Sequence, residues 1–229
     1  MNRWRPWFVG LVLIATFASS CASEPNLSDA AFEQVDVSSS SRFSYLDEEI
    51  GDTGVTPRQL ADPATTLTAD QFRGVLDQGD DQALWYVSSK ATGRLTTYSV
   101  ASFQSLPTHM RTILAAMDIW AEVGNGGLPQ YFFNGYHERW PVQREALLTL
   151  GQDAIVASTD EAFIELENAG IDLTAADASM DDLFDTYESG FFDRYDDAFF
   201  PADEDPIYDA LLAYLDENLE AVHAEIASS

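Results

Sequence analysis

Hydrophobic residues recur at three- and four-residue spacing over much of the chain, which is the period of an amphipathic helix. The clearest stripe runs from Met110 to Trp120 and predicts a helix over residues 105–123, with Ser105 as its cap and Pro107 in its first turn. Gly124 is expected to end this helix, because the glycines that follow it tolerate left-handed backbone angles. Almost no segment alternates hydrophobic and polar residues, so the pattern predicts an all-α fold.

The same period predicts further helices on both sides of this central one. A short helix follows the capping residue Thr68, and another covers residues 83–95, a stretch that also fits a strand. Towards the C-terminus the pattern predicts helices over residues 141–151, 153–169 and 180–199, and a last helix capped by Asp205. Together they describe a multi-helix domain with aromatic residues on its inner faces.

The first twenty residues have the organisation of a secretory signal peptide. Arg3 and Arg5 precede an apolar run over residues 7–18, which is shorter than a membrane span requires. Residues 18–21 resemble a bacterial lipobox, and Cys21 is the only cysteine in the sequence. We therefore expect a signal peptide over residues 1–20 and a lipid on Cys21. The protein would then be exported to the cell envelope and reach the membrane through that anchor alone, on the periplasmic side or at the outer membrane of a Gram-negative cell. Ordinary cleavage at the small residues is the alternative.

Residues 22–66 have the composition of a flexible tether. They contain four consecutive serines at 38–41, three consecutive acids at 47–49, and scattered glycine, proline and threonine. Such a stretch buries too little hydrophobic surface to fold on its own. The folded domain is therefore expected over residues 67–229.

Acidic residues outnumber basic residues by 39 to 11, which gives a formal net charge of −28. A chain of this charge is unsuited to binding nucleic acid or anionic membranes, because phosphates are bound by lysine and arginine. The excess is concentrated after residue 145, where 14 Asp and 8 Glu stand against Arg194 alone. A basic protein partner fits the sign of this charge.

We expect such a partner to dock on the acids that lie opposite the aromatic residues of the predicted helix over 180–199 and in the loop after it. The candidate partner-binding residues are Asp181, Asp182, Asp185, Glu188, Asp193, Asp196, Asp197, Asp203, Glu204 and Asp205. The alternative is a salt-adapted or cation-binding envelope lipoprotein, since Lys90 is the only lysine. A homodimer is also compatible with these features.

The sequence contains no recognisable catalytic motif. Its three histidines are not part of a His-Glu-x-x-His motif, and no Gly-x-Ser-x-Gly or phosphate-binding glycine loop occurs. Glu220 and His223 have the spacing of a di-iron motif in a single copy, which we interpret as chance, with His223 as a solvated helix residue. The acids at 203–205 lack the spacing of a calcium loop. The sequence therefore predicts no enzyme, no cofactor and no metal site.

One motif resembles the signature of a known family. Residues 120–134 join the end of a helix to an aromatic segment, and the matching positions are Glu122, Asn125, Gly126, Gly127, Gln130, Tyr131, Phe132, Phe133 and Asn134. This pattern is similar to that of the bacterial DNA-mimic protein family, and the likeness extends over about residues 80–223. The resemblance implies an all-helical acidic protein whose carboxylates imitate DNA phosphates and occupy the DNA site of a transcription factor. The motif aromatics themselves are interpreted as core. An exported member would keep the fold while its partner changed.

Overall fold

The computed structural model describes residues 47–62, 64–78, 81–171, 173, 190–201 and 204–228. The predicted signal peptide, Cys21 and residues 22–46 of the tether lie outside these ranges. Five of the candidate partner-binding residues also lie outside them: Asp181, Asp182, Asp185, Glu188 and Asp203. The described part of the chain contains helices and turns and no strand, so the predicted all-α class is confirmed.

The helices belong to one compact unit. In chain order they are α1 (Pro57–Ala61), α2 (Ala69–Asp77), α3 (Gln82–Thr92), α4 (Val100–Gln104), α5 (Thr108–Phe133), a 3-10 helix (Tyr136–Arg139), α6 (Trp140–Thr149), α7 (Asp153–Asn168), α8 (Asp193–Asp196), α9 (Pro206–Glu217) and α10 (Leu219–Ala227).

Helix α5 lies at the centre of the domain, where it packs against α3, α6, α9, α10 and the 3-10 helix. The predicted hydrophobic stripe is buried, from Met110 to Trp120. The helix begins at Thr108 with Pro107 as its N-cap, and not at Ser105, whose N–H bonds to the Ala101 carbonyl at the end of α4. Proline is tolerated at this end of the helix, because a backbone N–H here would have no hydrogen-bond acceptor within the helix.

The regular geometry of this helix breaks two residues after the predicted end at Gly124. Helix α5 continues to Phe133 through a kink at Gly126 and Gly127, and Gly127 has a φ of 74° with a ψ of −177°. That backbone geometry is restricted to glycine, which explains why the interruption falls there. The helix resumes at once because Pro129 is well suited to a first turn.

The C-terminal part of the predicted tether is folded onto the domain. Helix α1 begins after Thr56, whose side chain caps it together with Gln59, and it packs against α3. Val55 and Leu60 are buried, at 0% and 4% exposure. Burial of these side chains stabilises a segment whose composition predicts flexibility. The folded domain therefore begins before residue 67. The stretch predicted as a helix over residues 83–95 is helical as α3 as far as Thr92, which excludes the strand alternative there.

The C-terminal third departs from prediction in two places. Of residues 190–199, only Asp193–Asp196 forms an α-helix, because Gly190 takes a φ of 70° and the chain then turns. The last helix is divided at Asn218, which has a φ of −115°. Asp205 caps α9 by accepting from the Tyr208 N–H at 3.1 Å, as its position predicted.

Candidate functional site

The described residues 193–201 and 204–209 run antiparallel to the kinked part of α5. At one end, Asp196 accepts a hydrogen bond from the Leu128 N–H at 2.7 Å. At the other end, the Trp120 indole N–H donates to both carboxylate oxygens of Asp205, at 2.9 and 3.0 Å. Between them, the Phe200 ring lies beside Gly124. The buried Phe199 and these polar contacts hold the segment against α5.

The outer side of this segment carries exposed carboxylates. We call the exposed acids of its described residues the acidic ribbon: Asp193, Asp197, Glu204 and Asp209. The first three are among the candidate partner-binding residues. Asp209 was not among those candidates. It lies two residues after the buried Ile207 on an amphipathic helix, and this spacing indicates a side chain that faces outward.

Two other candidate residues, Asp196 and Asp205, have partners inside the domain. Both are half-buried, and their hydrogen bonds to Leu128 and Trp120 leave them poorly placed for a partner. Burial raises the pKa of Asp196 to about 6, and the neighbouring Asp193 and Asp197 carboxylates contribute. Burial likewise raises the pKa of Asp205. We therefore leave these two acids out of the docking surface proposed below, because their oxygens already accept hydrogen bonds from the domain.

The basic side chains of the described residues are all engaged within the domain. Six arginines pair with carboxylates: Arg58, Arg73, Arg111, Arg139, Arg144 and Arg194. Lys90 donates to the Asp62 carbonyl, and Arg94 donates to the carbonyls of Glu225 and Ile226 at the end of α10. Arg194 is the basic residue of the described ribbon segment, and Glu165 balances its charge, so the exposed acids leave the ribbon with a negative net charge.

The motif residues at the kink form a polar cluster beneath this surface. Glu122, which is 4% exposed, accepts from the Gln130 side-chain amide at 3.2 Å and from the Asn134 amide at 2.9 Å. Glu122 precedes the kink, whereas Gln130 and Asn134 follow it. These bonds join the two halves of α5 and explain the acid and amide positions of the motif.

A second group of polar residues lies next to this cluster. Arg139 pairs with Asp118 at 2.8 Å, Gln143 donates to Asp118 at 2.6 Å, and the Tyr131 hydroxyl donates to Gln143 at 2.6 Å. The Arg139 guanidinium lies 4.1 Å from the centre of the Tyr136 ring. Burial raises the pKa of Asp118 and of Tyr131. Sequence reasoning missed this network. The feature of the sequence that could have indicated the network is the four-residue spacing of Asp118 and Glu122, which places two carboxylates on one side of the helix.

Both polar groups are satisfied by the protein itself. No fully buried side-chain nitrogen or oxygen among the described residues lacks a hydrogen-bond partner. An arrangement of this kind fixes local geometry and offers no free donor or acceptor to a ligand. The motif is therefore structural. The prediction that its aromatic residues are core is confirmed for Tyr131 and Phe132 and is wrong for Phe133, which is 42% exposed.

Neither a metal centre nor a membrane span is found in the described ranges. They contain no cluster of histidine, cysteine and acidic residues suited to an ion, and none of their helices has the length and apolarity to cross a bilayer. His223 was predicted to be solvated. It is instead half-buried against Phe72, and its Nε2 lies 2.9 Å from the Leu67 carbonyl. Glu220 is exposed on the same helix.

Comparison with known proteins gives one match. A family model described as DMP19-like protein matches residues 104–218, half of the 229-residue chain. The matched region contains the kink in α5, both polar groups and the acidic ribbon. No curated protein and no solved structure matches the chain.

Proposed function

Since the chain belongs to the DMP19-like family of DNA-mimic proteins, we propose that it is a binding module that docks a basic protein through surface carboxylates. The observation that carries the proposal is the acidic ribbon, where outward acids follow α5 and the basic residue of the segment, Arg194, is paired with Glu165. The family is not known as an enzyme family, and the proposed role requires no catalysis.

The spacing of charge along the ribbon fits a partial substitute for DNA. The contacts of the ribbon segment with α5 run from Leu128 back to Trp120, eight residues that would span about 12 Å in a straight helix at 1.5 Å per residue. The same length of duplex carries about seven phosphates. The ribbon supplies four carboxylates, and four more candidate residues precede it in the sequence: Asp181, Asp182, Asp185 and Glu188. We include them and Asp203 in the proposed docking surface, because they belong to the same acid-rich part of the sequence.

A partner for this surface has a positively charged groove that ordinarily binds phosphates. Opposite charges would steer the two proteins together and make their association sensitive to salt. Direct binding of nucleic acid is not part of the proposal, since a chain with a net charge of −28 repels the phosphate backbone.

We also propose that the module is exported and lipid-anchored through Cys21. The signal-peptide pattern and the lipobox-like residues 18–21 support this location. The partner would then be an envelope protein. Growth with a labelled fatty acid tests the anchor: the wild-type chain should take up label, and Cys21→Ser should not. Equal labelling of both chains, or none of either, would contradict the anchor without bearing on docking.

Capture from cell extract tests the docking proposal. The immobilised mature chain should retain a basic protein at low salt, and duplex DNA should release that protein because both compete for one site. A ribbon variant replaces the exposed acids by their amides: Asp193→Asn, Asp197→Asn, Glu204→Gln and Asp209→Asn. This variant should lose most of the captured protein.

A control variant of equal charge separates position from net charge. It carries four amide replacements at exposed acids outside the ribbon: Asp52→Asn, Asp70→Asn, Glu161→Gln and Glu167→Gln. The control should retain the partner nearly as well as wild type. Equal loss from both variants would show a general charge effect, and a captured protein that resists duplex DNA would overturn the proposal of DNA mimicry.

A further inference from the structure

Phe200 exposes an aromatic ring within the segment that carries the acidic ribbon. The residue before it, Phe199, is fully buried, whereas Phe200 is 36% exposed. The tip of its ring reaches α5, where a Cβ atom added to Gly124 would lie 3.5 Å from Cζ. The ring centre of Phe199 is 6.4 Å away and its plane is tilted by 40°, so the two rings are not stacked face to face. We propose that an arginine of the docked partner stacks its guanidinium on the Phe200 ring, an inference that rests on the docking function proposed above.

Exposed carboxylates stand on both sides of this ring in the sequence. Asp197 precedes Phe200 by three residues, Glu204 follows it by four, and both acids are exposed. Even a fully extended chain would place their Cα atoms at most about 11 and 14 Å from that of Phe200. The face of an aromatic ring is electron-rich and attracts cations, as carboxylates do. Single exposed apolar residues are common on protein surfaces, but this ring lies among acids that favour a cationic neighbour.

The protein itself contains two groups in which an arginine contacts an aromatic ring and pairs with a carboxylate. On the surface, the Arg194 guanidinium lies 4.6 Å from the centre of the Tyr195 ring and pairs with Glu165. In the interior, the Arg139 guanidinium lies 4.1 Å from the centre of the Tyr136 ring and also pairs with an acid. An arginine can therefore satisfy both kinds of contact at once in this fold.

The surroundings of Phe200 offer the ring and the acids of such a group without its cation. Among the described residues, no lysine or arginine side chain lies over the Phe200 ring. Arg194, the basic residue of the same segment, is engaged with Tyr195 and Glu165. An arginine from the partner would complete a third group of this composition.

A guanidinium fits this site better than an ammonium group. It is planar, so it can stack on a ring while the N–H groups at its edge donate to carboxylates. It is also weakly hydrated, whereas the compact ammonium of lysine holds its water strongly. Arginine binds phosphates through the same planar geometry, so a protein with a phosphate-binding groove has such side chains to offer. A cation–π contact at an exposed site strengthens binding by about two- to fivefold.

Titration calorimetry with an arginine nonapeptide and a lysine nonapeptide tests the proposal, because the two probes carry the same charge. Phe200→Leu keeps an apolar side chain and removes the ring. Its ratio of arginine-peptide to lysine-peptide affinity should fall about two- to fivefold below the wild-type ratio. The matched control Phe133→Leu removes a ring that is 42% exposed at the end of α5, and it should keep the wild-type ratio. An unchanged ratio in Phe200→Leu, or an equal fall in both variants, would overturn the proposal.

Proton NMR of wild type with the arginine nonapeptide gives a readout that does not require a folded variant. The ring current of Phe200 should shift the side-chain protons of a bound arginine upfield, and these protons should show nuclear Overhauser contacts to the Phe200 ring. Overhauser contacts from the peptide to other rings alone would overturn the proposal.

The ribbon variant separates this inference from the docking function. It should bind both peptides more weakly than wild type, because four carboxylates have become amides. Binding of both peptides as tight as that of wild type would contradict docking through the ribbon. Weaker binding of both peptides by the ribbon variant, together with a wild-type ratio in Phe200→Leu, would overturn the arginine contact alone.

Discussion

The carboxylate of Asp196 accepts a hydrogen bond from the Leu128 N–H at 2.7 Å, where α5 resumes after its kink. The residue before Leu128 is Gly127, and a Cβ atom at that position would overlap the Asp196 carboxylate. The glycine therefore has two functions, since it adopts a φ of 74° and leaves room for the acid. The contact joins the family motif to the segment that carries the acidic ribbon.

We expect Gly127→Ala to destabilise the domain by about 3 kcal/mol or more. Alanine at 127 combines strain in a backbone region that favours glycine with displacement of the Asp196 carboxylate from a buried N–H. Urea unfolding followed by circular dichroism measures the loss.

The matched control for this substitution is Gly135→Ala. Gly135 has a φ of 73°, and a Cβ atom added there would meet no other atom within 4 Å. The substitution should therefore cost only the left-handed strain of about 1–2 kcal/mol. Equal losses at positions 127 and 135 would show that contact with Asp196 is unimportant.

The stability of the domain should fall as the pH rises from about 4 to about 6. Burial raises the pKa of Asp196 from 3.8 to about 6, so in this window the folded state holds a proton that the unfolded state releases. Asp196→Asn keeps an acceptor for Leu128 and removes the titration. It should flatten the pH profile of the free energy of unfolding and stabilise the domain near neutral pH by up to about 2 kcal/mol, after allowance for partial exposure.

The control for the pH profile is Asp193→Asn, which removes an exposed neighbouring acid. Its profile should stay close to that of wild type, apart from a small shift caused by the loss of one repulsive charge near Asp196. A profile of Asp196→Asn that is as steep as the wild-type profile would assign the pH dependence to other groups.

Removal of Arg139 should be among the most destabilising single changes. Arg139→Met leaves Asp118 buried without its cationic partner, and such breaks cost about 3–5 kcal/mol. Arg58→Met, which breaks the exposed pair with Asp47, should cost less than about 1 kcal/mol. Thermal unfolding of the two variants measures the contrast. Similar melting temperatures would mean that the buried pair contributes no more than the exposed one.

Short sequence patterns predicted the helical stripe and the helix caps, which depend on contacts between near neighbours in the chain. The stripe in α5 and the caps at Thr68 and Asp205 follow from helical periodicity and from hydrogen bonds that span three residues. The way in which the two parts of α5 are held together at the kink could not be predicted in this way. It depends on Asp196, which is 68 positions from Leu128 in the sequence, and on Glu122 contacts across the kink.

The negative charge of the candidate docking surface was predictable from the sequence, but the particular acids that form the surface were not. The excess of acids was evident from the sequence, and Asp193, Asp197 and Glu204 are exposed. Composition cannot distinguish these acids from Asp196 and Asp205, because their inward direction depends on where Leu128 and Trp120 lie in the fold. The location of Asp209 on the ribbon follows only once α9 is placed against α5.

The salt dependence of partner binding is the most direct measurement of the central claim. Titration calorimetry with the captured basic protein would compare wild type, the ribbon variant and the control variant over a range of ionic strength. Docking through the ribbon predicts that wild type and control bind tightly at low salt and weaken steeply as salt rises, and that the ribbon variant binds at least about tenfold more weakly with a shallower salt dependence. Equal affinity and equal salt dependence for wild type and the ribbon variant would contradict docking through these carboxylates.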